Sequence, residues 1–170
     1  MHLPVLEYSK GTISIDLVHE ALLNAKAQHY DIAIILNKAG IPLEILHSAK
    51  ARVSVAQYAA LWTALADSMN DEFFGMDSHP MRRGSFKLLS KMLLQTETLE
   101  KALQQILQFF NLILDDLHST LMVEENFAYI VIYDQKQTKR IFSYATYVML
   151  AVLNVEPGSM RSLTALFFIS

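Results

Sequence analysis

Between Thr98 and Asp134 the spacing of apolar residues changes from three-and-four to two. Leu99, Leu103, Ile106, Phe110 and Ile113 recur as one stripe of an α-helix does, and Leu107, Phe109 and Leu112 widen that stripe. A stripe so broad predicts a central helix. Ser119–Glu124 and Phe127–Asp134 then alternate as half-buried strands do, with Glu125-Asn126 as the gap of a hairpin. Side chains repeat every 3.6 residues on a helix and every two on a strand, so neither element can carry the other's pattern. The chain must therefore be α+β, mostly helical, with a bundle-like N-terminal part and a small antiparallel sheet in its C-terminal part.

Upstream, the helices are punctuated by residues with known terminal chemistry. Residues 1–13 show no period and, with Pro4 and Gly11, read as an irregular arm; residues 14–170 read as one domain. Ser14 or Asp16 is placed to cap a first helix with Leu17, Leu22 and Leu23 among its apolar positions. Asp31 caps a short second helix, which Gly40 ends in the left-handed conformation and Pro42 prevents from continuing. Ile41 and Leu43 to Leu46 then read as a corner against the core. Ser54-Val-Ala-Gln57 is a capping box, opening a helix that sets Val55, Tyr58, Trp62, Leu65 and Met69 on one face. Asn70, Asp71 and Gly75 close it. Phe86 to Gln95 forms another helix, Thr96 recaps the chain into the long one, and Thr138 caps a last helix with Ile141, Phe142, Ala145, Val148, Met149 and Val152 inward. After Pro157-Gly158, Leu163–Ile169 reads as a buried strand. A strand with no partner leaves a reactive edge, so the sequence leads one to expect an excised domain whose continuation is missing.

Composition narrows the function classes. With 52% hydrophobic and 18% charged residues among 170, the chain can build a core without staples. It has no cysteine, which removes disulfides, thiolate metal sites and a cysteine nucleophile and fits a reducing, cytoplasmic setting. No apolar run approaches the roughly 20 residues of a membrane span. Fourteen basic against seventeen acidic residues give a net charge of −3, so the surface offers phosphates no general attraction.

Few polar constellations carry chemistry. His19-Glu20 opens like a zinc-protease helix, but Leu23 stands where the second histidine belongs. Asp115, Asp116 and His118 read as a solvated helix end, and His29, His47 and His79 stand alone near loops. No phosphate loop, nucleophile elbow or spaced carboxylate pair is present, so no catalytic residue, metal or cofactor is assigned. Arg82-Arg83-Gly84-Ser85 is the notable cluster: with Ser85 as a helix cap, two guanidinium groups and free amides converge as an anion site does. The alternative is a basic loop that pairs with acids such as Asp77. Tyr58, Trp62, Phe73, Phe74, Phe109 and Phe110 line either a cavity or ordinary core. The candidate ligand contacts are thus Tyr58, Trp62, Arg82, Arg83, Phe109 and Phe110.

An ordered series of short motifs runs through the same stretch: His29 to the Gly40-Ile-Pro42 corner, Ala51-Arg-Val-Ser54, Asp71-Glu-Phe-Phe-Gly75, then Gly84 and Thr98-Leu99-Glu-Lys-Ala-Leu103. The series resembles the non-DNA-binding N-terminal domain of one branch of the AraC family of bacterial transcription regulators. The resemblance implies a sensing or dimerising domain followed by a C-terminal domain with two helix-turn-helix units. Nothing after Asp134 has the paired short helices and Arg-rich faces of such a unit, so operator DNA would be met only through an absent domain. The arabinose-type sensor of the family is a cupin β-barrel; this helix-rich chain departs from it, so that barrel's sugar contacts cannot be carried over. A small-molecule effector and a homodimer are the implied partners, with Leu99 to Leu117 as the candidate dimer or domain-contact helix. The competing expectation is a stand-alone helical sensor that binds haem or a lipid, with His29, His47 and His118 as the histidines to consider.

Overall fold

The computed structural model describes residues 11–124, 127–136 and 165–169. The chain divides into two compact units, Met1–Met69 and Asn70–Ser170. It is α+β and predominantly helical, as expected.

In the first unit, β1 (Thr12–Ser14) pairs antiparallel with β2 (Arg52–Ser54), Ile13 opposite Val53. The Arg52 guanidinium donates to the Thr12 hydroxyl and carbonyl, both at 2.6 Å. Thr12 and Ile13 therefore belong to a strand rather than to an irregular arm. Ser14 caps α1 (Ile15–Ala21), accepting from the Asp16 amide, and α2 (Leu23–Ala27) follows. Of the apolar positions of this segment, Ile15, Val18, Ala21, Leu22 and Ala25 face inward, whereas Leu17 and Leu23 are exposed. His29 adopts a left-handed φ of 61° and ends the helix, with the Tyr30 amide donating to the Ala25 carbonyl as in a Schellman turn.

Asp31 caps α3 (Ile32–Lys38) through the Ile34 amide, and Gly40, at φ 65°, stops it. A 3-10 turn, Leu43–His47, makes the corner: Ile41 is buried, Ile45 and Leu46 are half-buried, but Leu43 faces solvent. The capping box of α4 (Val55–Met69) is reciprocal. Gln57 N donates to Ser54 Oγ and Ser54 N donates to Gln57 Oε1, while Gln57 Nε2 reaches the Gly40 carbonyl. The buried face of α4 is Leu61, Ala64, Leu65, Ala66 and Met69. It is rotated from the predicted one, leaving Val55 exposed and Tyr58 and Trp62 half-buried. Reading by side-chain size favours the aromatics, but alanines let α3 pack closely and so turn inward.

The second unit begins with a loop, residues 70–84, then α5 (Ser85–Leu93) and α6 (Leu99–Ile113). Thr98, not Thr96, caps α6 by accepting from the Lys101 amide. Ala102, Leu103, Ile106, Leu107, Phe109 and Phe110 form its buried stripe; Leu112 is exposed. The helix stops at Ile113, short of Leu117, because Leu114 is extended and the chain turns through Asp115 and Asp116 into β3 (Leu117–Glu124). β3 pairs antiparallel with β4 (Phe127–Asp134), from Leu117 opposite Asp134 to Glu124 opposite Phe127, leaving Glu125 and Asn126 between them. The hairpin of the sequence reading is therefore present. Asn111, at the end of α6, clasps β3 from the other side: its Nδ2 donates to the Ser119 carbonyl at 2.7 Å and its Oδ1 accepts from the Ser119 amide at 2.8 Å.

The last strand, β5 (Ala165–Ile169), lies parallel to β4, Ile130 opposite Phe167. The sheet is thus an antiparallel hairpin extended by one parallel strand, in the order β3-β4-β5. β5 is paired on one side by β4, and among the described residues its other side is a border of the sheet. The expected helix from Thr138 and the Pro157-Gly158 turn lie outside the described residues.

Candidate functional site

The polar framework of the second unit is made mainly by carboxylates that hold backbone amides, with Arg83, Ser78 and Lys136 side chains pairing to them. Asp71 is 3% exposed and accepts from three amides: Phe73 at 2.8 Å, Gly75 at 2.6 Å and Met81 at 2.8 Å. The first of these is an Asx-turn, and it folds Asp71-Glu-Phe-Phe-Gly75 into a knot with Phe74 and Gly75 both at positive φ. That geometry sends the next residue, Glu72, toward the start of α5. Its Oε1 accepts from the Gly84 amide at 2.9 Å and the Arg83 guanidinium at 3.1 Å, and its Oε2 from the Phe86 amide at 2.8 Å.

The anion that the Arg82-Arg83-Gly84-Ser85 cluster was expected to hold is thus supplied by the chain itself. A carboxylate at a helix N-terminus satisfies orphan amides and meets the positive end of the macrodipole. Two details of the expectation are corrected. Gly84, at φ 98°, is the cap residue and Ser85 the first helical one. Asp77 does not pair with the arginines: it accepts from the amides of His79, Asp115 and Asp116. Arg82 is exposed.

Asp116 is buried rather than solvated. It accepts from the amide and hydroxyl of Ser78, at 3.0 and 2.8 Å, and pairs with Lys136 at 3.0 Å; Lys136 also contacts the Ser78 hydroxyl. Ser78, Asp77 and Asp116 thereby fasten the 70–84 loop to the junction of α6 and β3. Asp115, in contrast, is exposed and only 3.7 Å from His79 Nδ1, also exposed, a pair worth little in water. Sequence reasoning missed Glu72 and Asp77 as a framework, because most of their partners are amides, which carry no mark in the residue string, and it missed Lys136 because its side-chain partners Asp116 and Ser78 are distant in sequence. The Asp-x-Phe-x-Gly turn was the only visible trace.

The six candidate ligand contacts fall in two places. Tyr58 and Trp62 lie one turn apart on α4, ring centroids 5.9 Å apart and nearly perpendicular. Burial raises the Tyr58 phenol above its ordinary value of about 10, and a hydrogen bond with Trp62 works the other way. Arg82, Arg83, Phe109 and Phe110 belong to the second unit. Phe109 and Phe110 contact each other edge-on at 5.8 Å and are core, Phe110 without any exposed surface. Among the described residues no group of three His, Cys, Asp or Glu is arranged to hold a metal. Nor is any helix there long and apolar enough to cross a membrane.

A family model described as the arabinose-binding domain of AraC transcription regulators, N-terminal, matches residues 30–164. The chain belongs to that family. The match begins at Tyr30, beside the His29 turn, and takes in α3, β2, α4, the 70–84 loop, α5, α6 and the β3–β4 hairpin, whereas β1, α1, α2 and β5 lie outside it. The AraC arabinose-binding family is one of regulatory ligand-binding domains rather than enzymes. No curated protein and no solved structure matches the chain.

Proposed function

We propose that this chain acts as an effector-sensing domain, a dimerising domain, or both, of an AraC-type transcription regulator. In this reading operator DNA is contacted by a C-terminal helix-turn-helix domain of the full regulator, and the sensing domain biases that contact. The family match over residues 30–164 carries the proposal. The net charge of −3 supports the division of labour, since a surface of that balance does not gather phosphates. An effector biases DNA binding only through a difference in its affinity for two arrangements, typically about 1–3 kcal/mol of coupling.

The effector contacts favoured by chemistry are Tyr58 and Trp62. Each is half-buried, so part of its surface is open to solvent while the rest is fixed by packing. Trp62 is the chain's single tryptophan, which makes the test direct. Fluorescence titration against panels of sugars, amino acids and fatty acids should find a compound that changes Trp62 emission saturably. The same compound should raise the unfolding free energy, by about 2.7 kcal/mol at a hundred times its Kd. Tyr58→Leu should abolish both effects. A binder whose affinity is indifferent to Tyr58→Leu would remove this site from the proposal.

A further inference from the structure

Two helix surfaces in the described residues carry the same pattern with opposite charge. On α1, Asp16 and Glu20 form an exposed row four residues apart, and the exposed Leu17 lies beside it, between that row and the core. On α5, Lys87 and Lys91 form the corresponding row, and Leu88 and Met92 lie beside it in the same rotational sense. Leu17, Leu88 and Met92 keep 43%, 56% and 42% of their surface in water, which is high for side chains of this kind. α5 contains two lysines and no acid, and neither lysine has an ion-pair partner among the described residues. Among the described residues Glu20 has none either, and there Asp16 accepts only from the Ser14 hydroxyl and not from a cation.

We infer that α1 of one copy of this chain docks on α5 of a second copy. The orientation follows from helix handedness. Both helices place the apolar row about 100° past the charged row, so only antiparallel axes set charge against charge and apolar against apolar. Asp16 then faces Lys91 and Glu20 faces Lys87, both rows having the same rise of about 6 Å. Leu17 packs between Leu88 and Met92. Antiparallel helices also oppose their macrodipoles favourably. The second copy is the fitting occupant because the complementary surface is written in the same sequence. An anionic membrane fits less well: α5 spans nine residues and carries no tryptophan or tyrosine to anchor it at an interface.

This inference builds on the reading of the chain as a dimerising domain and names the surface that does it. It also moves the role away from α6, whose stripe is spent on its own core. The test is sedimentation velocity of the whole chain over micromolar to millimolar concentrations, with two charge-reversed variants. Lys87→Glu with Lys91→Glu, and separately Asp16→Lys with Glu20→Lys, should each weaken association at least about tenfold by opposing like charges. An equimolar mixture of the two variants restores complementarity at every α1–α5 contact and should associate as the wild type does. Far-UV circular dichroism of each variant confirms folding, and recovery in the mixture requires it. A wild type that associates while the variants are unaffected, or a mixture that stays apart, overturns the surface and leaves the dimer reading standing. A wild type that remains monomeric throughout overturns both.

Discussion

The Glu72 carboxylate should be the most sensitive polar group of the second unit, and the substitution that shows why is Glu72→Gln. The change keeps size and shape. Both carboxylate oxygens, however, face donors: Oε1 meets the Gly84 amide and the Arg83 guanidinium, and Oε2 meets the Phe86 amide. Glutamine has one oxygen, so whichever way its amide is turned an NH2 group confronts an N–H. One backbone donor, in a site where the side chain is 9% exposed, then has no acceptor. A lost bond of this kind costs about 1–3 kcal/mol, and the loss of charge assistance at the surviving contacts puts the total toward the upper half of that range. Arg83→Ala removes a partner that is 42% exposed and leaves both amide bonds intact, so it should cost about 1 kcal/mol or less. Urea unfolding followed by far-UV circular dichroism separates the two. With a slope of about 1–3 kcal/mol per molar, Glu72→Gln should lower the midpoint by about 1 M, and Arg83→Ala by a few tenths. Equal midpoints for Glu72→Gln and wild type, or a larger loss for Arg83→Ala, would refute the view that the carboxylate acts mainly on backbone amides.

Other substitutions test other joints. Gly40→Ala meets no atom within 4 Å, so its cost is the left-handed backbone alone, about 1–2 kcal/mol, read as a lowered melting temperature. Asn111→Ala leaves the Ser119 amide and carbonyl, in a residue 2% exposed, without their side-chain partner; about 2 kcal/mol should be lost, with faster hydrogen exchange at Ser119. For Tyr58, the folded-state pKa lies above the unfolded value, so the folded state keeps its proton longer. Its contribution is fully present below pH about 10 and is lost as pH rises through the raised value. Tyr58→Phe should therefore flatten the fall of stability in alkaline titrations, and an unchanged slope would contradict the burial of that phenol.

Local signals were legible where one side chain acts on a nearby amide. The Ser54–Gln57 box, the Asp31 cap and the Gly40 stop each concern residues within a turn of one another, and all three form as read. The β3–β4 hairpin was legible because alternation is a property of the segment itself. What failed was tertiary. Val55 looks inward by size and spacing, yet which flank of a helix is covered depends on neighbours that spacing does not specify. β2 was hidden because three residues beside a capping box carry no period, and only pairing with β1 makes them a strand. The buried acids were misassigned for a related reason: Asp77 reaches amides 38 and 39 residues away, and amides are the same at every position.

The Asn111 clasp has a consequence for how the sheet meets other chains. Among the described residues β4 is the only strand beside β3, and along β3 the outward-pointing amides and carbonyls recur at every second residue, Ser119 among them. An extended segment from a stranger protein would add itself to such a border by that ladder. With the Asn111 carboxamide already seated on Ser119, the ladder is interrupted inside an eight-residue strand, and neither remainder is long enough for stable augmentation. A single helix side chain thus serves as a guard against fibrous growth along that border.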